Sequence, residues 1–229
     1  VMPIPTGPGM MSSINTINAD GSVMGGFTNQ TFFPNLESDA WSYNNGTQTN
    51  HGDIPGGLRG ASFTGVTNDG STFVGYADDG QQRAIRYTSD GFDVLGTVAG
   101  GSGAGFAVNI GAYGGTIVGN LDVDGSTHAS YWTPDGTAHL IDTPDAFDGG
   151  SASATSADGS IIIGSWYNGF ADDLTSTAFI WTALDGARAL ADVLRDDYGY
   201  DLDGWTLNLA TDITPDGRTI VGEGVNPQG

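Results

Sequence analysis

Two short phrases place aspartates at alternate positions ahead of a glycine, Asp122-Val-Asp124-Gly125 and Asp201-Leu-Asp203-Gly204. Alternate residues of an extended segment share a face, so each pair could offer hard carboxylate oxygens to calcium. A loop of the EF-hand type needs further oxygens at fixed offsets and a bidentate glutamate, and neither phrase supplies them. The same residues also suit an Asx turn, in which the carboxylate holds backbone N–H groups and no ion is involved. The sequence demands no cofactor. Calcium is the one it suggests, with Asp122, Asp124, Asp201 and Asp203 as ligands; the adjacent pairs Asp172-Asp173 and Asp196-Asp197 need not face one ion.

Other chemistry is thinner. His51, His128 and His139 share no close spacing, which argues against a three-histidine zinc site and for surface or turn positions. The absence of cysteine removes thiol nucleophiles, disulfides and thiolate zinc sites, and the absence of lysine removes Walker-type phosphate loops and Schiff bases. No Gly-x-Ser-x-Gly elbow occurs. A glycosidase needs two carboxylates about 5 to 9.5 Å apart, for which Glu37, Glu223 and the aspartates are the candidates, but most aspartates here fall in turns. Aromatic side chains are the better candidates for ligand contact. Trp166, Tyr167, Phe170, Tyr198, Tyr200 and Trp205 lie in the two longest inter-strand stretches, 166–177 and 187–209, where loops could present them to a sugar or another partner. Residues 187–198 also carry Leu190, Val193 and Leu194 at helical spacing, which predicts a cap or rim helix.

The chain that must position these groups has 229 residues, 38% of them hydrophobic, enough for a core without staples. Only 14% are charged, against about 25% in ordinary domains, and there are 38 glycines and 9 prolines. With 5 Trp, 8 Tyr and 10 Phe, that glycine content marks short strands separated by turns rather than disorder. The formal net charge is −21, with six arginines against 25 aspartates and two glutamates. Such a surface repels nucleic acid and anionic membranes and attracts cations. No apolar run approaches the roughly 18 residues of a membrane span, so an integral membrane protein of the helical kind is not expected. No signal peptide precedes Val1, and a chain starting without methionine reads as processed or trimmed.

Self-similarity is the dominant signal. One phrase occurs five times, at Ile17–Gly26, Val66–Gly75, Ile110–Gly119, Thr155–Gly164 and Ile213–Gly222, at intervals of 49, 44, 45 and 58 residues. Each copy reads as a strand, an Asp-Gly turn and a second strand ended by glycine, that is, a β-hairpin; in the third copy Tyr113-Gly-Gly replaces Asp-Gly. A second phrase alternates with it: Ala40-Trp-Ser-Tyr43, Ala84-Ile-Arg-Tyr87, Ala129-Ser-Tyr-Trp132 and Ala178-Phe-Ile-Trp181, each followed by a turn and a short apolar piece. Four strands in about 45 residues is the size of a β-propeller blade, so the sequence predicts an all-β, five-bladed propeller in a single domain over 1–229, with hairpins near 14–27, 61–76, 105–120, 152–165 and 209–224. Tyr43, Tyr87, Trp132 and Trp181 recur at one blade position and are expected to pack between sheets. Five hairpins but four aromatic phrases leave one blade without its third strand. The opening segment Met2–Gly9 aligns with the joint Leu95–Gly101 and is expected to close the ring against the blade containing 209–225. A neighbouring molecule, or further chain, could fill the remaining edge.

The hairpin Ser156-Ala-Asp-Gly159, the strand Ala178-Phe-Ile-Trp-Thr182 and the joint Leu95-Gly-Thr-Val-Ala-Gly-Gly101 together resemble the HAF repeats of bacterial extracellular proteins. The resemblance runs over most of 12–229, and Asp201–Gly229 is similar to the last repeat of that family, where an Ala-Trp strand usually follows. It implies a secreted or surface-associated protein, in some cases an autotransporter passenger, and it implies no catalytic residue. The function expected is that of a noncatalytic structural, adhesion or assembly module working through its rim loops or incomplete blade, with a protein partner or a second copy of itself. A carbohydrate-binding lectin and a glycosidase-type hydrolase are the alternatives.

Overall fold

The computed structural model describes residues 11–29, 38–57, 60–168 and 175–228. Four antiparallel sheets of four strands follow one another along the chain. The first holds β1 (Met11–Ile17), β2 (Val23–Asn29), β3 (Ser38–Asn44) and β4 (Thr47–Gly52); the second holds β5 (Gly60–Val66), β6 (Phe73–Asp78), β7 (Gln82–Thr88) and β8 (Gly91–Val94). The third is β9 (Gly101–Ile110), β10 (Ile117–Val123), β11 (Ser126–Trp132) and β12 (Ala138–Leu140). The fourth is β13 (Gly149–Thr155), β14 (Ile161–Asn168), β15 (Thr175–Thr182) and β16 (Gly186–Ala189). After helix α1 (Leu190–Asp196) comes a fifth sheet of two strands, β17 (Thr206–Ile213) and β18 (Ile220–Val225). A single parallel bridge, Ser38 to Gly60, joins the first two sheets.

All five repeated phrases form hairpins, and four of their turns share one chemistry. In the fourth, Asp158 Oδ1 accepts from the Ser160 N–H (3.0 Å) and from the hydroxyls of Ser160 and Ser156 (2.8 Å each). Asp69 does the same with Thr67 and Ser71, and Asp216 with Thr214 and the Arg218 N–H. These donors favour the charged carboxylate. They lower the pKa of Asp158 to about 2 and depress those of Asp69 and Asp216. The turn then needs one residue in the left-handed region, which Gly159 and Gly217 supply at φ 75° and 70°. The third copy keeps the geometry without the aspartate, with Gly114 at φ 78° and Tyr113 turned outward.

These turns link into a chain. Asn18 Nδ2 donates to Asn68 O, Asn68 N to Ala112 O, Tyr113 N to Ala157 O and Ala157 N to Pro215 O, so each turn grips the next around one rim. Beneath them lie four successive inter-sheet cores. Val23 and Ala40 of the first sheet pack with Phe63, Phe73 and Ile85 of the second; Val74 and Ala84 of the second with Ile110, Ile117 and Trp132 of the third. Val118 and Ala129 then meet Ile162, Trp166 and Phe179, and Ile163, Ala178 and Leu190 meet Ala210 and Ile213. The five sheets therefore stack face to face in sequence order.

The glycine that ends each hairpin phrase has a packing reason. In every sheet the first strand is bulged opposite it, and a Cβ at Gly26, Gly75, Gly119, Gly164 or Gly222 would collide with the carbonyl oxygen of Ser13, Ser62, Phe106, Ser151 or Leu209. The second strand can lie this close to the bulge only without a side chain.

Three expectations are corrected. Of the stretch 166–177, the described residues 166–168 and 175–177 are strand rather than loop: β14 and β15 pair through Trp166 with Thr177 and Tyr167 with Ser176. The helix begins at Leu190 rather than 187, because Gly186–Ala189 is taken up as the fourth strand against β15. His51 is not a surface residue, since it sits in β4 half-buried between the first two sheets. The closing segment Met2–Gly9 lies outside the described residues. Among the described residues no core joins the fifth sheet to the first. Ile17 and Val221 stand 55% exposed at positions whose counterparts Val66, Ile110, Val74 and Val118 are buried.

Candidate functional site

The fifth sheet lacks its outer half among the described residues, and a cavity of about 650 Å³ opens there. Its floor is apolar: Ile161 and Ile180 from the fourth sheet, Leu190, Val193 and Leu194 from α1, and Leu207, Leu209 and Ile220 from the fifth. The helix is amphipathic, and its buried Leu190 and Val193 turn to the sheets while Arg195 pairs outward with Asp192 (2.6 Å) and Asp196 (3.1 Å). Arg188 is likewise paired with Asp197 at 2.6 Å, and each partner favours the other's charged form. Tyr198, Tyr200 and Trp205 form the rim, and β18 forms the far wall with Val221 and Glu223 exposed along it. A smaller cavity of about 460 Å³ lies beside it, sharing Tyr200 and Trp205 and reaching Asp201 and Leu202.

Three of the aromatics singled out from sequence therefore meet at one place, with Tyr198 70%, Tyr200 61% and Trp205 49% exposed. Trp166 does not join them. It is 2% exposed, stacked between Phe147 and Phe179 at ring distances of 5.6 and 5.1 Å, with Nε1 donating to Asp142 O at 3.2 Å. It is a core residue, since the strand runs on where sequence suggested a loop. Tyr167 lies in β14 opposite Gly149, away from the cavity, and Phe170 lies outside the described residues. The groove floor was visible in sequence only as the helical spacing of Leu190, Val193 and Leu194. Its walls Ile180, Leu207 and Ile220 come together through the fold alone.

The candidate metal ligands sit in two separate turns. Asp124 and Gly125, at φ 52° and 82°, make the two-residue turn between β10 and β11, with Asp122 in the strand before it. Asp203 and Gly204, at φ 49° and 81°, repeat that turn, and Asp201 Oδ1 accepts from the Asp203 N–H at 2.9 Å. Both phrases thus have a turn to make. Among the described residues no three His, Asp or Glu side chains gather as a metal site.

One hydroxyl–imidazole pair escaped the sequence reading. His51 Nε2 lies 2.7 Å from Ser42 Oγ, and the imidazole packs against Tyr87, Phe63 and Phe73 at 4.3, 5.6 and 6.4 Å. Burial lowers its pKa, which keeps the ring neutral. Ser42 is 7% exposed and the imidazole half-buried, so the pair packs between the first two sheets.

The cavity itself carries one carboxylate, Glu223, and one cation, Arg218, among its lining residues. It can seat an apolar or aromatic group beside a strand edge that is open among the described residues, whereas two-carboxylate hydrolysis would need a second acid. No described helix is long and apolar enough to cross a membrane.

No family model and no curated protein matches the chain. Solved structures do. The chain is similar to a protein assigned as TolB from Agrobacterium tumefaciens, with TM-score 0.60 and 16% identity over 92% of this chain and 73% of that one. It is also similar to TolB from Acinetobacter baumannii, with TM-score 0.52 and 13% identity over 79% of this chain and 43% of that one. At these identities the likeness is one of fold: the sheets are arranged as in β-propellers.

Proposed function

We propose that this protein is a noncatalytic, exported or surface-associated β-propeller module that assembles with a polypeptide partner at its fifth sheet. The observation that carries this is the edge of β18, unpaired among the described residues, beside an apolar cavity, a combination that offers backbone groups for a ladder and a seat for side chains. The lysine-free acidic composition and the HAF-like phrases support export, and a lining with a single carboxylate supports a binding rather than a hydrolytic role. The edge is free only if the sheets remain open there. A five-blade ring closed by Met2–Gly9 would set Ile17 against Val221, and Val221→Ala would then cost as much as a core truncation. The exposed trio Tyr198, Tyr200 and Trp205 favours one second reading, a lectin. Arrays of immobilised peptides and of glycans probed with the same labelled chain separate the two. Saturable peptide binding that Val221→Asp abolishes is expected, whereas glycan binding indifferent to that change would overturn the assembly reading.

A further inference from the structure

The first sheet departs from the next three at one repeated core position. In those three an aliphatic residue at the end of the outermost strand stands opposite the phrase alanine. Leu95 N–H donates to Ala84 O at 2.9 Å and Ile141 N–H to Ala129 O at 2.8 Å, and in the fourth sheet Leu190 follows Ala189, the partner of Phe179. All three are buried, each in the core toward the next sheet. In the first sheet Ala40 pairs with Gly52 and Trp41 with Asn50, which leaves His51 as the extra residue of a β-bulge. Gly52, at φ 71°, takes the left-handed conformation beside it. The bulge lays the imidazole on Phe63, Phe73 and Tyr87 of the second sheet, in the place that Leu95, Ile141 and Leu190 fill elsewhere.

That place now holds a group that can take up a proton. Its polar partner is Ser42, at the phrase position where the other sheets carry Arg86, Tyr131 and Ile180, and the small side chain leaves room for the ring. The charged residues of the surrounding strands are engaged elsewhere. Arg86 of β7 reaches Pro134 O of the third sheet and pairs with Asp93 of β8; Arg83 pairs with Asp79. Asp39 of β3 accepts from Asn50 Nδ2 at 2.8 Å, and Asp78 of β6 from the Gly80 N–H at 2.8 Å. Of the three facing rings only Tyr87 is titratable, and a phenol is neutral in acid. Burial is therefore what lowers the His51 pKa: the aromatic faces attract an imidazolium, but less than the water it has lost. Asp53, next but one along the chain, is shifted the other way, its pKa raised first by burial and then by Asp39 and Asp78, so its protonation favours the fold.

We propose that His51 makes the contact between the first two sheets an acid-released latch, which holds as an aliphatic residue would near neutral pH and loosens when the imidazole is protonated. The later contacts, built on Leu95, Ile141 and Leu190 at the same place, have no such release. The other links across the first junction are neutral. Asn15 Nδ2 donates to Ser62 Oγ (2.9 Å) and Phe63 O (3.1 Å), Asn18 Nδ2 donates to Asn68 O (2.9 Å), and Ser38 is bridged to Gly60. They persist in acid, so the release is a local opening of β3 and β4 rather than unfolding. The unfolded chain binds the proton first, so the latch is complete above the ordinary imidazole value of about 6.5 and is lost as pH falls through the lower native one. The turn carboxylates Asp69, Asp158 and Asp216 keep their charge to lower pH and do not share this window. The latch does not involve the fifth sheet and stands or falls apart from the assembly reading.

The test is native-state hydrogen exchange at about pH 7 and about pH 5, expressed as protection relative to the intrinsic rate at each pH. Protection over β3 and β4 should fall roughly threefold or more in acid while that over β14 is unchanged. The His51 midpoint, read by NMR on the unmodified chain, should lie below about 6.5. His51→Leu installs the aliphatic of the other sheets and should abolish the acid loss with circular dichroism unchanged; His51→Gln, neutral and polar, should abolish it as well. An imidazole midpoint at or above about 6.5 overturns the latch. So does an acid loss that persists in both variants, or one spread evenly over all the sheets. If neither variant folds, the midpoint and the location of the loss in the unmodified chain decide.

Discussion

The fourth and fifth sheets start from nearly the same phrase and end in different environments. Thr155–Gly164 and Ile213–Gly222 make the same turn, with Asp158 and Asp216 accepting the same local N–H and hydroxyl donors, and the same bulge beneath the terminal glycine. Yet β14 is paired on both sides and buried over Ile162–Trp166, while β18, among the described residues, is paired on one side and exposed from Val221 onward. Turn chemistry is local and survives at the edge; burial is conferred by neighbours. A hairpin of this kind is a repeating part whose value to the fold depends on what flanks it.

Substitutions can break that contrast. The largest effect is expected from Phe179→Ala, which empties a fully buried site between Trp166 and Gly164 and should lower the free energy of unfolding by about 3–5 kcal/mol in urea titrations. Val221→Ala in the fifth sheet should stay within about 0.5 kcal/mol. A Val221 effect as large as a core truncation would mean that the last sheet is covered and the ring closed.

Next in size is Gly164→Ala. The new methyl meets both the Ser151 carbonyl and the Phe179 ring, and in a fixed sheet that overpacking should cost about 1–3 kcal/mol. Gly222→Ala meets the Leu209 carbonyl alone, and an edge strand can move away, so a smaller loss is expected in the same titration. Equal losses would show that the edge is as rigid as the interior.

The smallest effect sharpens the likeness instead. Asp158 should titrate near pH 2 by carboxyl NMR, and Asp216 should also lie below the ordinary carboxylate value of about 4. A depressed native pKa means the unfolded chain binds the proton more readily, so the turn's contribution is complete above about pH 4 and fades as pH falls toward 2. Replacing Ser160 by Ala removes one hydroxyl donor and should raise the Asp158 midpoint without moving that of Asp216.

Much of this was legible in the sequence, because Asp-Gly turns and terminal glycines encode local geometry that tertiary context does not override. The five hairpins and the Ala-x-x-aromatic strands lie where those residues put them. What was not legible depended on context. Trp166 resembled a loop aromatic because nothing local says how far β14 runs before its partner leaves it. His51 carries no sign of burial until β4 is set against Phe63 and Tyr87. The cavity is a property of two sheets and a helix, and of its contributors only Leu190, Val193 and Leu194 were linked by spacing, with Tyr198, Tyr200 and Trp205 noted separately as aromatics.

Native-state hydrogen exchange on the chain alone tests the open fifth sheet most directly. If β18 is an uncovered edge, its outward amides exchange orders of magnitude faster than those of β14, in alternation with protected inward ones. Uniformly slow exchange across Ile220–Val225, matching Ile161–Asn168, would contradict it.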